Sequence, residues 1–329
     1  MKKWRFLLVS ALALSLAACN DEQDAKDAEA NTEVTEETNT QAGSTAKALE
    51  NTAPVKFVDA IGQEVEFTEP PKSIATLNPG IMDILVELDA NVTGRPTIHA
   101  EMSEQIENIQ DIGNPHEPSF EQIVALNPEV LIVPTSFQRF AQSITATGIK
   151  VVYEEMDSIQ GIQDTITRYG EVFANEEKAA ELNKEIDDAK AKAAESTKNA
   201  LIVYGAPGTY LAALDSSLYG DILKAAGGSN IASDLPALDK YPTFANLSAE
   251  KIVEGNPQVI MLITHSNPEV VKDGFEKEMS ENATWKNLDA VKNNHIIILP
   301  SNLFDNPGTQ VVEALDYMRE LLEKAESTN

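Results

Sequence analysis

The chain has 329 residues, enough for two ordinary domains or for one large domain with a sizeable core. Its 53 acidic residues outnumber the 25 basic residues, and the formal net charge of -28 argues against a nucleic acid as partner. The single cysteine excludes a disulfide bond within the chain.

The first 18 residues are typical of a bacterial signal peptide. Basic residues within the first five positions precede an apolar run that is too short to span a membrane. The run ends in Leu-Ala-Ala-Cys at 16–19, which has the form of a lipobox, although a chance cysteine at the end of a cleaved signal peptide is the alternative. We expect removal of residues 1–18 and lipidation, for example by palmitate, of Cys19.

Residues 19–52 favour a disordered acidic tether. The segment is rich in acidic residues, threonine, alanine and asparagine, and it contains no aromatic residue. Such a composition buries too little apolar surface to offset chain entropy. Because a diacyl-type anchor holds a protein stably, the folded body is expected at the extracytoplasmic face of the cell membrane.

The folded body begins near Val55 with an α/β pattern. Residues 55–67 (VKFVDAIGQEVEF) alternate apolar and polar side chains around a glycine, which predicts a β-hairpin. Residues 73–77 (SIATL) predict a strand, and Pro79 stands near the start of a helix with apolar residues at helical spacing. Strands and helices then alternate to the end of the chain, as in an open α/β sheet.

Two stretches of the chain repeat one pattern. Residues 119–133 (SFEQIVALNPEVLIV) and 248–262 (SAEKIVEGNPQVIML) share S-x-E-x-I-V-x-x-N-P-x-V at an offset of 129 residues. Each stretch predicts a short helix, a break at Asn-Pro and a buried strand. We therefore predict two Rossmann-like lobes of similar construction, at residues 53–156 and 198–329.

The segment at 157–197 predicts a helical connection between these lobes. Its isoleucines recur at helical spacing, it has no proline, and it is rich in alanine, glutamate and lysine. The pattern predicts one long bridging helix, or two nearly continuous helices, and hence a clamshell with little hinge motion. An ordinary surface helix within one domain is the alternative.

His265 follows a predicted buried strand that ends at Leu262. Ligands in open α/β sheets bind beyond the carboxyl ends of the strands. By the repeat offset the counterpart of His265 in the first lobe is Ser136, and we expect both residues to face the cleft between the lobes.

Met82 follows the first predicted strand of the body and lies in the first turns of a helix. This position faces the cleft too, but a methionine at helical spacing with Ile81, Ile84 and Leu85 is more often a core residue. The start of the same helix is also a candidate anion site, since free N–H groups there attract carboxylates.

Glu121 and Glu250 are the equivalent acids of the repeat, each near the start of its helix. One explanation is that each carboxylate simply interacts favourably with the dipole of its own helix. The functional alternative is that the two acids contact basic residues of a two-fold symmetric membrane partner.

The sequence contains no motif of a phosphate-binding loop, a dinucleotide fold, a serine hydrolase or a zinc protease. The remaining histidines, His99, His116 and His295, lie in polar segments, in a turn or before a strand. We therefore predict that the protein is not an enzyme.

The lipobox, the hairpin, the paired motifs and the bridging segment together resemble the substrate-binding lipoproteins of ABC importers for iron chelates, cobalamin and haem. The resemblance covers about residues 55–325 and implies the class III binding-protein fold. Within this group the sequence is most similar to the haem-binding members. The similar stretches are GRPT (94–97), IGNPHEPSFE (112–121) and two long stretches at 204–231 and 264–296. The similarity fades at 299–309.

The resemblance implies that one methionine and one histidine from opposite lobes hold the haem iron. These ligands fall on Met82, allowing a length difference of one residue before GRPT, and on His265. Such a pair leaves no open iron position for oxygen chemistry. The resemblance also places Glu121 and Glu250 where they contact arginines of the permease.

The expected function is that of a lipid-anchored, monomeric haem receptor. It delivers haem to an ABC permease with a cytoplasmic ATPase and accepts haem from an upstream surface donor. Aromatic walls of the haem site are expected from the side chains of Phe137, Phe140, Tyr204 and Tyr210.

Two other functions stay open at this point. A ferric-siderophore or cobalamin receptor has the same fold, but an anionic siderophore favours several arginines in the cleft, and only Arg95 and Arg139 are candidates. An extracytoplasmic enzyme would need an open iron position or a nucleophile with its base.

Overall fold

A computed structural model describes residues 53–98, 102–194, 198–206 and 208–326. The predicted signal peptide, the lipidated Cys19 and the tether at 19–52 lie outside the described residues and stay predictions. Within the described residues, no helix has both the length and the apolar character that a membrane span requires.

The body opens with the predicted hairpin. Strands β1 (Val55–Val58) and β2 (Glu64–Phe67) pair antiparallel. The Asp59 carboxylate accepts hydrogen bonds from the backbone N–H groups of Ile61 and Gln63, at 3.1 and 2.8 Å, and Gly62 adopts a φ of +86° that few other residues tolerate. The hairpin prediction is confirmed.

The first lobe contains one parallel sheet. Its strands are β3 (Ile74–Thr76), β4 (Val92–Arg95), β5 (Gln110–Asp111), β6 (Val130–Val133) and β7 (Lys150–Tyr153). They lie in the order β5-β4-β3-β6-β7. Four helices accompany the sheet: α1 (Pro79–Glu87), α2 (Glu104–Glu107), α3 (Phe120–Leu126) and α4 (Ala141–Thr145). Every residue of β6 is buried, as expected for a central parallel strand covered on both faces.

The connection between the lobes is a pair of antiparallel helices. Helix α5 (Ile159–Val172) and helix α6 (Glu176–Ala191) pack side by side. The Gln163 side chain donates to Asp187 at 3.0 Å, and the Asn183 side chain donates to Thr167 at 2.8 Å. Of the two predicted forms of this segment, the structure contains two helices separated by three residues rather than one continuous helix, and the second helix folds back on the first.

The chain folds back because of local backbone features between α5 and α6. Ala174 adopts a left-handed conformation, with a φ of 51°, which ends the helical path. Gly170 lies directly against Ala179, where an added Cβ would overlap the alanine side chain. The glycine thus permits the close approach of the two helices.

Each bridging helix contacts both lobes. The N–H of Ile159 donates to Asp221 of the second lobe at 2.8 Å, whereas Tyr169 stacks edge-on with Phe57 of the hairpin. In the return direction, the Asn175 side chain donates to the carbonyl of Leu88 at 3.3 Å, and the carbonyl of Ala189 accepts from Arg319 at 2.9 Å. Two helices, rather than one, therefore connect the lobes.

The second lobe contains a mixed sheet. Its strands are β8 (Asn199–Ala206), β9 (Thr209–Ala213), β10 (Ser229–Asn230), β11 (Phe244–Asn246), β12 (Val259–Ile263) and β13 (Ile296–Ile298). The main order is β11-β9-β8-β12-β13, in which β8, β12 and β13 are parallel and β9 is antiparallel to both neighbours. Its helices are α7 (Leu218–Ala225), α8 (Ala249–Gly255), α9 (Pro268–Glu281), α10 (Asp289–Lys292), α11 (Ser301–Phe304) and α12 (Val311–Glu326).

The sequence repeat corresponds to a structural repeat. Ser119 caps α3 and Ser248 caps α8, each accepting from the backbone N–H three residues later. Asn127 and Asn256 then end the two helices in the left-handed conformation, and the chain continues into β6 and β12. The prediction of an α/β fold with two lobes of similar construction is confirmed.

One apolar core runs through both lobes. The largest cluster of buried side chains includes Ile132 of β6, Tyr169 of α5, Met261 of β12 and Met318 of α12. A smaller cluster lies on the opposite face of each sheet. A large apolar contact of this kind restrains relative motion of the lobes.

Candidate functional site

A cavity of about 690 Å³ lies where the first lobe faces the carboxyl ends of the strands of the second lobe. The first lobe contributes mainly apolar side chains, from Pro79, Met82, Ile98, Met102 and Ile106, together with the polar residues Asp83, Thr97 and Ser103. Polar side chains of the second lobe line the other side: His265, Ser301, Asn302, Asp305, Asn306 and Gln310. The volume and the mixed lining are typical of small-molecule sites.

Met82 reaches this cavity from the second turn of α1. The helix begins at Pro79 because the Asn78 side chain accepts from the N–H groups of Gly80 and Ile81, at 2.9 and 3.2 Å. Met82 is only 4% exposed and also packs in the main core cluster. Met82 is thus both a core side chain and a residue that lines the cleft.

His265 lies between the end of β12 and the start of α9. The Thr264 hydroxyl accepts from the N–H of Ser266 at 2.9 Å, which turns the chain, and Asn267 caps α9. The His265 side chain is 57% exposed and lines the cavity opposite Met82. The structure therefore brings the two predicted ligand residues to one cavity from opposite lobes.

Asp305 is the immediate partner of His265. Its Oδ2 lies 3.0 Å from His265 Nε2, and its Oδ1 accepts a hydrogen bond from the Tyr219 hydroxyl at 3.0 Å. The hydrogen bond with Asp305 raises the pKa of His265, against the opposing effect of burial. Burial raises the pKa of Tyr219, so its hydroxyl stays protonated and donates. The Tyr204 ring meets the imidazole edge-on, with 5.7 Å between ring centroids.

Asp305 is a site residue that the sequence did not reveal. It lies in the 299–309 segment, where the family resemblance fades. The available signal was topological: β13 is parallel to β12, so the loops after both strands meet at one edge of the sheet.

The same segment fixes α1 against the second lobe. The N–H of Thr309 donates to Asp83 Oδ2 at 2.8 Å, and the Thr309 hydroxyl also bonds to that oxygen. A Cβ added to Gly80 would lie 2.8 Å from the carbonyl oxygen of Asn306 and 2.8 Å from the nitrogen of Gly308. The two backbones therefore touch directly. Burial raises the pKa of Asp83, and its hydrogen bonds with Thr309 partly oppose the shift.

The expected aromatic walls are not part of the cavity lining. Phe137 is fully buried and packs between Phe120 and Phe140, while Tyr210 packs on Phe275 with ring centroids 5.0 Å apart. These rings fill space within their own lobes, so the prediction of Phe137, Phe140 and Tyr210 as walls is wrong. Tyr204 contacts His265 but does not line the cavity itself.

Ser136, the repeat counterpart of His265, lines a neighbouring cavity of about 260 Å³. Asn78, His116, Glu155 and Asp305 contribute to the same lining. Ser136 thus lies where residues of both lobes meet, as expected, but it lines a cavity beside that of His265, and Asp305 contributes to both linings.

Lysine and arginine side chains do not line the main cavity within the described residues. Arg95 is 8% exposed and donates to the Pro96 carbonyl and to Asp111, and Arg139 lies over the Phe140 ring at 4.6 Å. The described part of the chain also contains no cluster of three or more His, Cys, Asp or Glu side chains that could hold a metal ion. His99 lies outside the described residues.

Glu121 and Glu250 occupy matched positions in the first turns of α3 and α8. Both are exposed, and neither forms a salt bridge with another described residue. One turn later each helix exposes a large apolar side chain, Val124 at 46% and Val253 at 40%. The repeat therefore presents the same acid and the same exposed valine twice.

Comparison with known proteins gives a consistent result. Residues 74–303 match the family described as periplasmic binding protein. Over an aligned stretch of 219 residues the chain is 34% identical to the high-affinity heme uptake system protein IsdE of Staphylococcus aureus strain Newman. The aligned stretch covers 64% of this chain and 73% of that protein.

Two solved structures are also similar. The structure of S. aureus IsdE complexed with heme superimposes with a TM-score of 0.64 at 29% identity, covering 76% of this chain and 98% of that chain. An ABC transporter substrate-binding protein from Listeria monocytogenes EGD-e gives a TM-score of 0.65 at 28% identity, covering 78% of this chain and 100% of that chain.

Proposed function

Because the chain belongs to the periplasmic binding protein family, which supplies the extracytoplasmic substrate-binding components of ABC importers, we propose that it binds haem between its two lobes and delivers it to a permease. The membership confirms the family resemblance of the sequence and makes the protein a transport component rather than an enzyme. A permease and its ATPase are its partners.

The observation that carries the proposal is the pair formed by Met82 and His265 across one cavity. A thioether sulfur and an imidazole nitrogen are a recognised axial pair for haem iron. A porphyrin supplies four nitrogen ligands of its own, so two protein ligands complete the coordination without a cluster of acidic or cysteine side chains. The name of the S. aureus relative, a heme uptake protein, supports the same ligand.

The rest of the lining suits a porphyrin. Ile98, Met102 and Ile106 offer apolar contact to the macrocycle. Neutral donors among the polar residues, such as Asn302 and Gln310, are available to the two propionates.

The lining also bears on the alternatives. An anionic ferric siderophore favours several arginine or lysine residues, and none lines the cavity within the described ranges. Cobalamin is considerably larger than haem and would need a larger cavity than this one of about 690 Å³. A panel of haemin, ferric siderophores and cobalamin, followed by absorbance and by quenching of tryptophan fluorescence, separates these ligands.

The haem proposal is tested by titrating the purified protein with haemin. The wild type is expected to give a six-coordinate, low-spin spectrum. His265→Ala and Met82→Ala should each lose this spectrum and bind haemin at least about tenfold more weakly, which corresponds to about 1.4 kcal/mol. Met102→Ala is the control for the ligand assignment, because it removes a second thioether of the lining. It should keep the six-coordinate, low-spin spectrum, although the loss of apolar contact weakens haemin binding slightly. Retention of the wild-type spectrum by His265→Ala would contradict the proposal.

Delivery is proposed to use the repeated surface of α3 and α8. Glu121 and Glu250 would pair with arginines of the permease, and Val124 and Val253 would make the apolar contacts beside them. A lipid at Cys19 would keep the monomeric receptor near this permease and near an upstream surface donor of haem.

The docking proposal is tested with the Glu121→Lys, Glu250→Lys double variant in vesicles that contain the permease and ATPase. We expect haem import to fall strongly while haemin affinity stays unchanged. Glu177→Lys in α6 is the matched control, because Glu177 is an exposed glutamate outside the repeat. Equal import by the double variant and the control would contradict the docking assignment.

A further inference from the structure

Resting on the proposed function, we propose that Asp305 is a displaceable partner of His265 that competes with haem iron for the same imidazole nitrogen. In the structure Asp305 Oδ2 contacts His265 Nε2, and the iron must replace this contact. This exchange would lower the affinity for haem and speed its release to the permease.

The competition follows from the atom that Asp305 contacts. Asp305 Oδ2 lies 3.0 Å from Nε2, the outer nitrogen of the imidazole ring. A nitrogen that donates a hydrogen bond has no lone pair left for iron, so ligation and the contact with Asp305 exclude each other. His265 can therefore serve only one partner at a time through Nε2.

Asp305 is the fixed member of the pair. Its side chain is 13% exposed, its Oδ1 accepts from the Tyr219 hydroxyl at 3.0 Å, and its N–H donates to the Ser301 carbonyl at 2.9 Å. The segment that follows it packs on α1 through Gly308 and Thr309. The carboxylate is thus held from two directions.

His265 is the member that can move. Its side chain is 57% exposed and lies in a short turn between β12 and α9. Rotation of the imidazole away from Asp305 leaves the carboxylate with its hydrogen bond from Tyr219, so the acid is not left without a partner. The exchange therefore costs one hydrogen bond of a partly exposed pair, and its effect on binding is modest.

The test compares two porphyrins that differ only in the iron. Wild-type protein, Asp305→Ala and Asp305→Asn are titrated with haemin and, separately, with metal-free protoporphyrin IX. Haemin dissociation is followed by transfer to excess apomyoglobin. Asp305→Asn preserves the side-chain shape and an acceptor for Tyr219, so it guards against a general defect in the Ala variant. Asp305→Ala should bind haemin about three- to tenfold more tightly, mainly through slower dissociation. Asp305→Asn should change in the same direction but by less, because its neutral amide can still form a weaker hydrogen bond with Nε2. The affinity of both variants for protoporphyrin IX should change by less than about twofold, because competition acts only on the iron bond.

A second readout does not depend on the ligand. Nitrogen-15 NMR of the histidine rings in the empty protein should show Nε2 of His265 in a hydrogen bond in the wild type, and this signature should be lost in Asp305→Ala. Tyr219→Phe should change haemin dissociation in the opposite direction to Asp305→Ala, because rotation of His265 would then leave the Asp305 carboxylate without its remaining side-chain hydrogen bond.

Three results would overturn the inference. Equal tightening for both porphyrins would assign the effect to removal of a negative charge from the cavity. Weaker haemin binding by Asp305→Ala would mean that the acid orients His265 for the iron. Unchanged haemin binding by both variants would mean no competition. Absence of haemin binding by the wild type is a separate result, which removes the proposed function and this inference with it.

Discussion

Replacing Gly80 with alanine should separate α1 from the second lobe and weaken haem binding. The added Cβ would lie 2.8 Å from the Asn306 carbonyl oxygen, 2.8 Å from the Gly308 nitrogen and 3.0 Å from Met156 Cε. The first two are backbone atoms, which cannot rotate away as a side chain can. Since carbon contacts are optimal at roughly 3.5 Å or more, the two backbones must separate by about half an ångström or more.

The magnitude follows from the cost of overpacking. Insertion of a methyl group into a packed contact costs about 1–3 kcal/mol. Alanine regains about 1 kcal/mol over glycine in a helix, so we expect a net loss of up to about 2 kcal/mol in the free energy of unfolding. Met82 lies two residues after Gly80 on the same helix, so the shift also moves its sulfur relative to His265.

Urea unfolding and haemin titration on the same preparations measure both effects. Gly161→Ala is the matched control, because Gly161 also lies in the first turn of a helix but its added Cβ meets only the Ser158 hydroxyl oxygen at 3.3 Å and Met156 Cα at 3.8 Å. The control should be neutral or slightly stabilised and should bind haemin normally. If Gly80→Ala matches the wild type in both stability and haemin affinity, the direct backbone contact does not position Met82.

Two further predictions concern stability. Arg168→Met should cost about 3–5 kcal/mol at neutral pH, because it leaves Glu154 buried without the guanidinium that now lies 2.8 and 2.6 Å from its oxygens. Burial already raises the pKa of Glu154, and a raised folded-state pKa favours the folded protein at low pH; the defect should therefore shrink as the pH falls, and urea unfolding across a pH series checks this. Asn127→Gly should be nearly neutral because glycine accepts its left-handed conformation, whereas Asn256→Gly should cost about 1–3 kcal/mol through the two hydrogen bonds with Asp289, at 2.9 and 3.0 Å. Equal unfolding free energies for the two glycine variants would contradict this distinction.

The features that the sequence predicted correctly are those with local causes. The serine caps and the asparagine helix ends of the repeat depend on hydrogen bonds and backbone conformations within a few residues. The position of His265 follows from the end of β12, which an apolar run marks clearly. A short pattern at a constant offset was therefore enough to predict both lobes and one side of the cavity.

The features that the sequence did not predict depend on distant contacts. The reversal between α5 and α6 requires Gly170 to pack against Ala179, and nothing in helical spacing distinguishes this from a continuous helix. The contact between Asp83 and Thr309 joins residues 226 positions apart. The role of Asp305 beside His265 likewise emerges only when the loops after two parallel strands are brought together.

The rigid frame of the protein bears on how a bound ligand leaves. Both bridging helices contact both lobes, one apolar core passes through them, and α1 touches the 306–310 segment backbone to backbone. Wide separation of the lobes would expose much of this apolar surface and is therefore costly. Release must then depend mainly on smaller changes at the ligand itself. The proposed exchange, in which an exposed His265 leaves the iron for a fixed Asp305, is a change of that size, because it needs rotation of one side chain and leaves the lobes where they are.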